Sequence, residues 1–293
     1  METLETLSDA LSTTRDIQSI VRTMKSLSAV SIRQFERAEQ TFADFERTVE
    51  LGLTALLHER RAQGRFLPGE EAMRSGRRGL IIIGSDRGLC GRYNETLTGF
   101  AQDRIIKGDT VLGVIGVRAA ARLETWGHRA DRLFSLPGSV GGVTNLVQSL
   151  IVEIDEWTHA RGVDRVVLVH NRREGRANAK PVERHLMPLP AAYLHRLADV
   201  DWPGDGLPFF RMDPDALLSW LVQQRLFAVL YQALAQALSS EHATRLAAMQ
   251  SAEHNIQDRR DDLNAAYRQK RQETITRELM DVISGFEAVG GSD

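Results

Sequence analysis

One stretch has the residue types of a ligand loop. Gly84-Ser85-Asp86-Arg87-Gly88-Leu89-Cys90-Gly91 follows the apolar run Leu80–Ile83 and precedes a helical pattern. A glycine-rich turn between a strand and a helix is where an α/β domain binds phosphate, because backbone N–H groups and the helix dipole converge there. The spacing fits neither G-x-G-x-x-G nor a P-loop, which needs Gly-Lys-Ser/Thr at its end. The second strand runs into Gly116-Val117-Arg118, with no acidic residue for an adenosine ribose. The stretch therefore reads as a docking loop on a fold shared with nucleotide binders.

Other chemistry is sparse. Cys90 is the single cysteine, so there is no disulfide framework, which suits a reducing compartment. No local signature pairs it with a base, and it reads as an inert structural thiol. The eight histidines are scattered, without H-x-x-x-H or a Cys/His cluster, so no metal is expected. Asp258-Arg259-Arg260-Asp261-Asp262 reads as a solvated helix face or as ion pairs between helices. Arg172, Arg173 and Arg176 form a basic loop too small to argue for nucleic acid. The formal net charge of −2 gives no general pull toward polyanions. No catalytic constellation emerges, and no cofactor is expected.

The elements around the loop are unusual. Residues 215 to 284 contain neither glycine nor proline and are rich in Ala, Leu, Gln, Arg and Glu. As one helix they would extend roughly 105 Å at 1.5 Å per residue. Asp213 suits the N-cap, Pro214 the first helical position, and Gly285 the close. Residues 1 to 51 also lack glycine and proline. A 4-3 spacing there selects Ile17, Val21, Met24, Ser28, Ser31, Phe35, Ala38, Phe42, Phe45, Val49, Gly52 and Leu56, with Leu4, Leu7 and Leu11 upstream. That is the seam of a coiled coil.

Between these helices the pattern alternates. Strands are expected at 80–83, 110–115, 133–135, 166–169 and, more weakly, 182–189. Helices are expected at 94–106, 118–126 and 143–159. This order implies a mostly parallel sheet covered by helices. Residues 63–79 read as a linker, and residues 191–212 as an irregular return. The fold class is thus α plus α/β: a long antiparallel two-helix coiled coil with an inserted Rossmann-like domain. The expected boundaries are 1–62, 77–195 and 213–287. Arms entering one inserted domain run antiparallel, with residue n near residue 273 − n, so Met24 falls near Met249 and Leu56 near Leu217. Residues beyond about 270 then form a single-helix tip. Leu279, Val282, Ile283 and Phe286 share one side of it, bordered by Ile275, and should be buried on another molecule. No apolar run approaches the roughly 20 residues of a membrane span, so membrane association would go through other proteins. The acidic start, with Glu2, Glu5 and Asp9, is unlike a signal or transit peptide.

With these features, three strings resemble the γ subunit of F-type ATP synthases over nearly the whole chain. Ile20-Val21-Arg22-Thr23-Met24-Lys25 is similar to the N-terminal Ile-Thr-Lys-Ala-Met-Lys of that family. Ser85-Asp86-Arg87-Gly88-Leu89-Cys90-Gly91 matches the family's Ser-Asp-Arg-Gly-Leu-Cys-Gly throughout. Asp261-Asp262-Leu263, Tyr267, Arg271-Gln272, Ile275-Thr276-Arg277-Glu278-Leu279, Asp281 and Ser284-Gly285 follow its C-terminal signature. Departures include Ser31 in place of a common lysine, Arg92-Tyr93 after Cys90-Gly91, and Phe286 after Gly285. They mark a divergent bacterial type, of the kind a second, alternative ATPase would carry.

The resemblance implies a non-catalytic rotor shaft inside a ring of α and β subunits. Its foot would rest on the ε subunit and the membrane c-ring, at the cytoplasmic face of the inner membrane. It would couple hydrogen-ion or sodium-ion transport to ATP synthesis or hydrolysis on β. The subunit contacts implied are Met24, Lys25, Arg87, Cys90, Arg92, Arg271, Gln272, Ile275, Leu279, Ile283 and Phe286. Two other readings make different demands. A nucleotide-binding α/β protein with a dimerising coiled coil requires saturable nucleotide binding, and a coiled-coil scaffold requires a stable isolated oligomer.

Overall fold

A computed structural model describes residues 3–64, 76–175, 178–202, 206 and 210–290, the last six of these as backbone only. The chain divides into two compact units, Ser28–Arg245 and Met1–Leu27 with Leu246–Asp293. Its elements are α1 (Leu4–Ala62), β1 (Arg77–Ile83), α2 (Tyr93–Gln102), β2 (Thr110–Ile115), α3 (Val117–Thr125), β3 (Arg132–Phe134), α4 (Val140–Ala160), β4 (Val163–Glu174), β5 (Asn178–Met187), α5 (Ala191–Asp199) and α6 (Pro214–Gly290).

The larger unit holds a five-stranded sheet in the order β3-β2-β1-β4-β5. β1, β2, β3 and β4 are parallel, and β5 returns antiparallel on β4. Continuous apolar runs such as Leu80–Ile83 belong in a sheet covered on both faces. One face packs Leu80, Ile82, Leu112, Val114, Val167 and Val169 against Leu97 and Ala101 of α2 and Ala119 and Leu123 of α3. On the other face, Ile81, Ile83, Val111, Ile115, Val166 and Leu168 meet α4 and the two long helices.

Trp157 of α4 fixes the distance between helix and sheet. Its ring lies over two glycines, where a Cβ on Gly79 or on Gly113 would come within 2.8 Å of it. Its Nε1 donates to Glu153 Oε1 at 2.7 Å, and Arg132 Nε donates to Glu153 Oε2 at 2.7 Å, so the ring cannot slide away cheaply. Gly113→Ala is expected to cost about 1–3 kcal/mol by overpacking. Thermal unfolding should then fall by roughly 5 °C relative to the parent chain.

In this unit every residue of α6 from Ala228 to Glu241 is buried, so the helix is enclosed on all sides. Its enclosure is α1, the sheet and Tyr93 of α2. The antiparallel pairing is as expected. The Phe42 ring stacks on Tyr231 at 3.6 Å, Phe35 stacks on His242 at 5.9 Å, and Leu56 shares a cluster with Leu217. In the smaller unit Leu7 and Leu11 pack on Leu263, Arg260 Nη1 donates to Gln18 Oε1 at 3.0 Å, and Arg22 and Lys25 both pair with Glu253.

The seam itself needs correction at four of its alternate positions. Val21, Ser28, Phe35, Phe42, Val49 and Leu56 face inward as expected, Phe42 only partly. At Ile17, Ser31, Phe45 and Gly52 the residue that turns inward is instead the next one, Gln18, Ile32, Glu46 and Leu53, while Met24 and Ala38 are half-buried together with their neighbours Lys25 and Glu39. Ile17 is 46% exposed while Gln18 is buried. The cause is chemical. Four of these six following residues carry polar side chains that bond across the seam: Gln18 to Arg260, Lys25 to Glu253, Glu39 to Gln236 and Glu46 to Gln232. A reading that follows apolar residues steps onto their neighbours instead.

Three further expectations change. Residues 191–199 form α5, whose Leu194, Leu197 and Ala198 pack on Leu53, Leu57 and Leu221. Helix α6 runs to Gly290 and does not close at Gly285. The linker expected at 63–79 lies outside the described residues over 65–75, and β1 already begins at Arg77. The start of α6 is as read, since Asp213 Oδ1 accepts from Asp215 N and Ala216 N, both at 3.0 Å.

Candidate functional site

The glycine-rich loop leaves the carboxyl end of β1, beside β4, where the strand order reverses. In open α/β sheets that crevice receives ligands. Here side chains of the same chain occupy it. Asp86 turns its carboxylate to the start of α3, accepting from Val117 N at 2.9 Å and from Leu136 N at 2.7 Å. An anion bound at this helix end would need the Val117 N–H. Gly116, with φ 101°, lets the β2–α3 turn pass so close to Ser85 that a Cβ would lie 2.7 Å from its backbone. Ser85 and Asn94 close the turn, with Ser85 N donating to Asn94 Oδ1 at 3.0 Å and Asn94 Nδ2 to Ser85 Oγ at 2.7 Å.

Helix α6 covers the rest of the crevice. Tyr93 Oη donates to the Ala237 carbonyl at 3.0 Å, and Asn171 Nδ2 of β4 donates to the Tyr93 carbonyl at 3.0 Å. His170 Nε2 lies 2.8 Å from Gln236 Oε1, and Gln236 Nε2 in turn donates to Glu39 of α1 at 2.7 Å. Burial pushes the His170 imidazole down to about 4 and the Tyr93 phenol well up. Burial outweighs the bond to Gln236, which by itself would favour the protonated ring. Among the described residues no group of His, Cys, Asp and Glu side chains could hold a metal ion.

Cys90 does not face outward. It is 3% exposed, its Sγ sits 3.7 Å from Ser85 Oγ, and burial raises its thiol pKa. Both features make it a poor nucleophile. The outer side of the loop is Arg87, Leu89 and Arg92. Leu89 is 62% exposed and has a left-handed φ of 61°, a conformation rare for a side chain with a Cβ. Arg92 is paired with Glu95 of the next turn at 3.0 Å.

The remaining expected contact residues fall in the smaller unit. Met24 and Lys25 are half-buried on α1, Lys25 holding Glu253. Arg271, Gln272, Ile275, Leu279 and Ile283 are exposed on α6, and the side chain of Phe286 lies outside the described residues. Beyond Tyr267, which packs beside Leu263, every described apolar residue of α6 is exposed. Ile275, Leu279, Met280, Val282 and Ile283 therefore leave a bare apolar strip.

A family model described as ATP synthase matches residues 3–289. An ATP synthase gamma chain of Xanthomonas oryzae pv. oryzae is 31% identical over 289 residues, covering 94% of this chain and 95% of the relative. The chain belongs to the ATP synthase γ family. A γ chain of Glaesserella parasuis is 28% identical, with 95% and 96% covered. Among solved structures, the rotor of Euglena gracilis mitochondrial ATP synthase superposes with a TM-score of 0.66 at 17% identity, covering 93% of this chain and 98% of that one. The central stalk and c-ring structure of Tetrahymena thermophila mitochondrial ATP synthase has a chain matching at 0.55 and 17%, covering 80% and 99%. These likenesses establish the γ-chain fold, two long helices around an α/β domain. No helix of the described residues is long and apolar enough to cross a membrane.

Proposed function

We propose that this γ chain is the central shaft of a bacterial rotary F-type ATP synthase. It is non-catalytic and couples ion flow through a membrane c-ring to ATP synthesis or hydrolysis on β subunits. The bare apolar strip of α6 from Ile275 to Ile283 carries the reading. A helix end of this kind calls for an apolar socket, which a ring of α and β subunits around the paired arms would supply. The inserted segment 77–195, with the ε subunit and the c-ring, forms the foot at the cytoplasmic face of the inner membrane.

In this scheme Arg271 and Gln272 meet β near the end of the paired helices, and Met24 and Lys25 meet it further back along the pair, where Lys25 holds Glu253. Ile275, Leu279, Ile283 and Phe286 form the bearing. The loop around Cys90 meets an acidic surface of β through Arg87 and Arg92, with Leu89 at its crest in place of the buried thiol. A crevice filled by Asp86, Tyr93 and Gln236 gives the nucleotide-binding reading no support.

Arg271→Ala tests the scheme. Loss of one charge-assisted bond of about 1.5 kcal/mol should lower coupled ATP turnover roughly tenfold, with assembly kept. Poor assembly with normal turnover per complex would make Arg271 structural and remove it from the coupling path.

A further inference from the structure

Glu241 and Arg245, buried one turn apart on α6, take no part in the contacts proposed above. Arg245 Nη2 donates to Glu241 Oε1. The same guanidinium also donates to the carbonyl of Gly88, from Nε at 3.4 Å and from Nη2 at 3.3 Å. Its Nη1 lies 3.5 Å from His242 Nδ1. A buried ion pair contributes little stability that apolar side chains of the same shape would not. What the pair adds is direction, because the guanidinium is a rigid fork.

The fork acts at one peptide. The Gly88 carbonyl and the Leu89 N–H share a plane, and Leu89 is the left-handed residue that stands out from the loop. Before this peptide the loop is tied to α3 through Asp86, and after it to α6 through Tyr93 Oη on Ala237. Arg245 is the tether in between.

We propose that Arg245, held by Glu241, is a positioning residue that fixes the Gly88–Leu89 peptide against α6, so that load received at Arg87 and Leu89 passes into the shaft. The part concerning load rests on the rotor reading; the part concerning the loop does not.

The test is the double variant Glu241→Leu with Arg245→Met, which removes the pair and leaves no lone buried charge. In the full-length chain, amide exchange over 86–91 should quicken at least tenfold, roughly, as a local tether is lost. The thermal midpoint should stay within about 2 °C of the parent. In the assembled complex, ions transported per ATP hydrolysed should fall by about half or more, a ratio that mere loss of active complexes would not move. Arg245→Lys, which keeps the charge but not the fork, should assemble like the parent and still show the lowered ratio. Unchanged exchange over 86–91 would overturn the tether. Faster exchange with an unchanged transport ratio would overturn the transmission of load. A parent complex that hydrolyses ATP without transporting ions would instead fail the rotor reading itself.

Discussion

Replacing Leu279 and Ile283 together by aspartate is expected to abolish incorporation of this chain into an α/β complex while leaving the chain itself folded. The two halves of that result have separate causes. In the chain, Leu279 is 57% and Ile283 49% exposed, and neither belongs to a core cluster of the described residues. Two carboxylates there remain in water, so circular dichroism and the thermal midpoint should not change. In an assembled complex the same positions would face the apolar socket proposed above. Each charge buried without a partner would cost several kcal/mol, enough to outweigh an ordinary hydrophobic contact. A chain ending at Asp281 makes the contrast. It loses Val282, Ile283 and Phe286 but buries no charge, so it should assemble and keep a sizeable fraction of ATPase turnover. A turning shaft needs contact without a preferred angle, which apolar surface provides and directional hydrogen bonds do not. Full assembly of the aspartate pair would remove the socket from the scheme. Loss of all turnover in a correctly assembled Asp281-terminated complex would make the tip a source of torque.

The tip was legible in the sequence because its pattern has nothing to compete with. Ile275, Leu279 and Ile283 recur at helical spacing among charged residues, and no other part of the chain was left to cover them. The seam was only half legible. Positions such as Phe35 and Val49 are apolar and inward, and spacing finds them. Gln18, Glu39 and Glu46 are inward because each bonds across the seam, and a single sequence does not show which polar side chains have partners. Helix α5 was hidden by its flanks, since prolines on both sides made Ala191–Asp199 resemble loop. A signal for the enclosed part of α6 was present. Residues 226–240 contain no charged side chain, although α6 is rich in charge after them. A charge-free run of four turns marks a helix with no solvated face, and it would have placed Glu241 and Arg245 at the edge of a core. The same run explains why the crevice beside β1 is filled, because the helix that fills it is the one the sheet encloses.

Stability should fall steeply as the pH is lowered from about 6.5 toward 4, and two histidines set that window. Burial lowers His170 to about 4 and His242 to about 4, from an ordinary value of 6.5. His170 faces Arg172 on its own strand, Arg184 on β5 and Gln236 on α6, with Glu39 of α1 beyond the amide. His242 lies on Phe35, with Arg245 and Arg87 as its charged neighbours. Arginines around both rings add to the cost of a proton there. Between pH 6.5 and 4 the unfolded chain therefore binds two protons that the native chain refuses, so unfolding becomes easier as the pH falls. Each histidine can cost up to about 3 kcal/mol by pH 4. Glu241 acts in the opposite sense, because burial raises its pKa and its protonation relieves the native state. Its relief is confined to the range above the usual carboxylate value, where it offsets part of the loss. Urea unfolding midpoints measured from pH 7.5 to 4.5 should decline most rapidly below 6.5. In a His170→Gln, His242→Phe double variant the decline should flatten. The glutamine can still hydrogen-bond toward Gln236, and the phenyl ring can stack on Phe35. An unchanged slope in that variant would place the acid sensitivity elsewhere, in His185, whose imidazole burial also lowers; Glu253 and Glu273, which lysine partners hold below their usual range, lose their contribution only at lower pH.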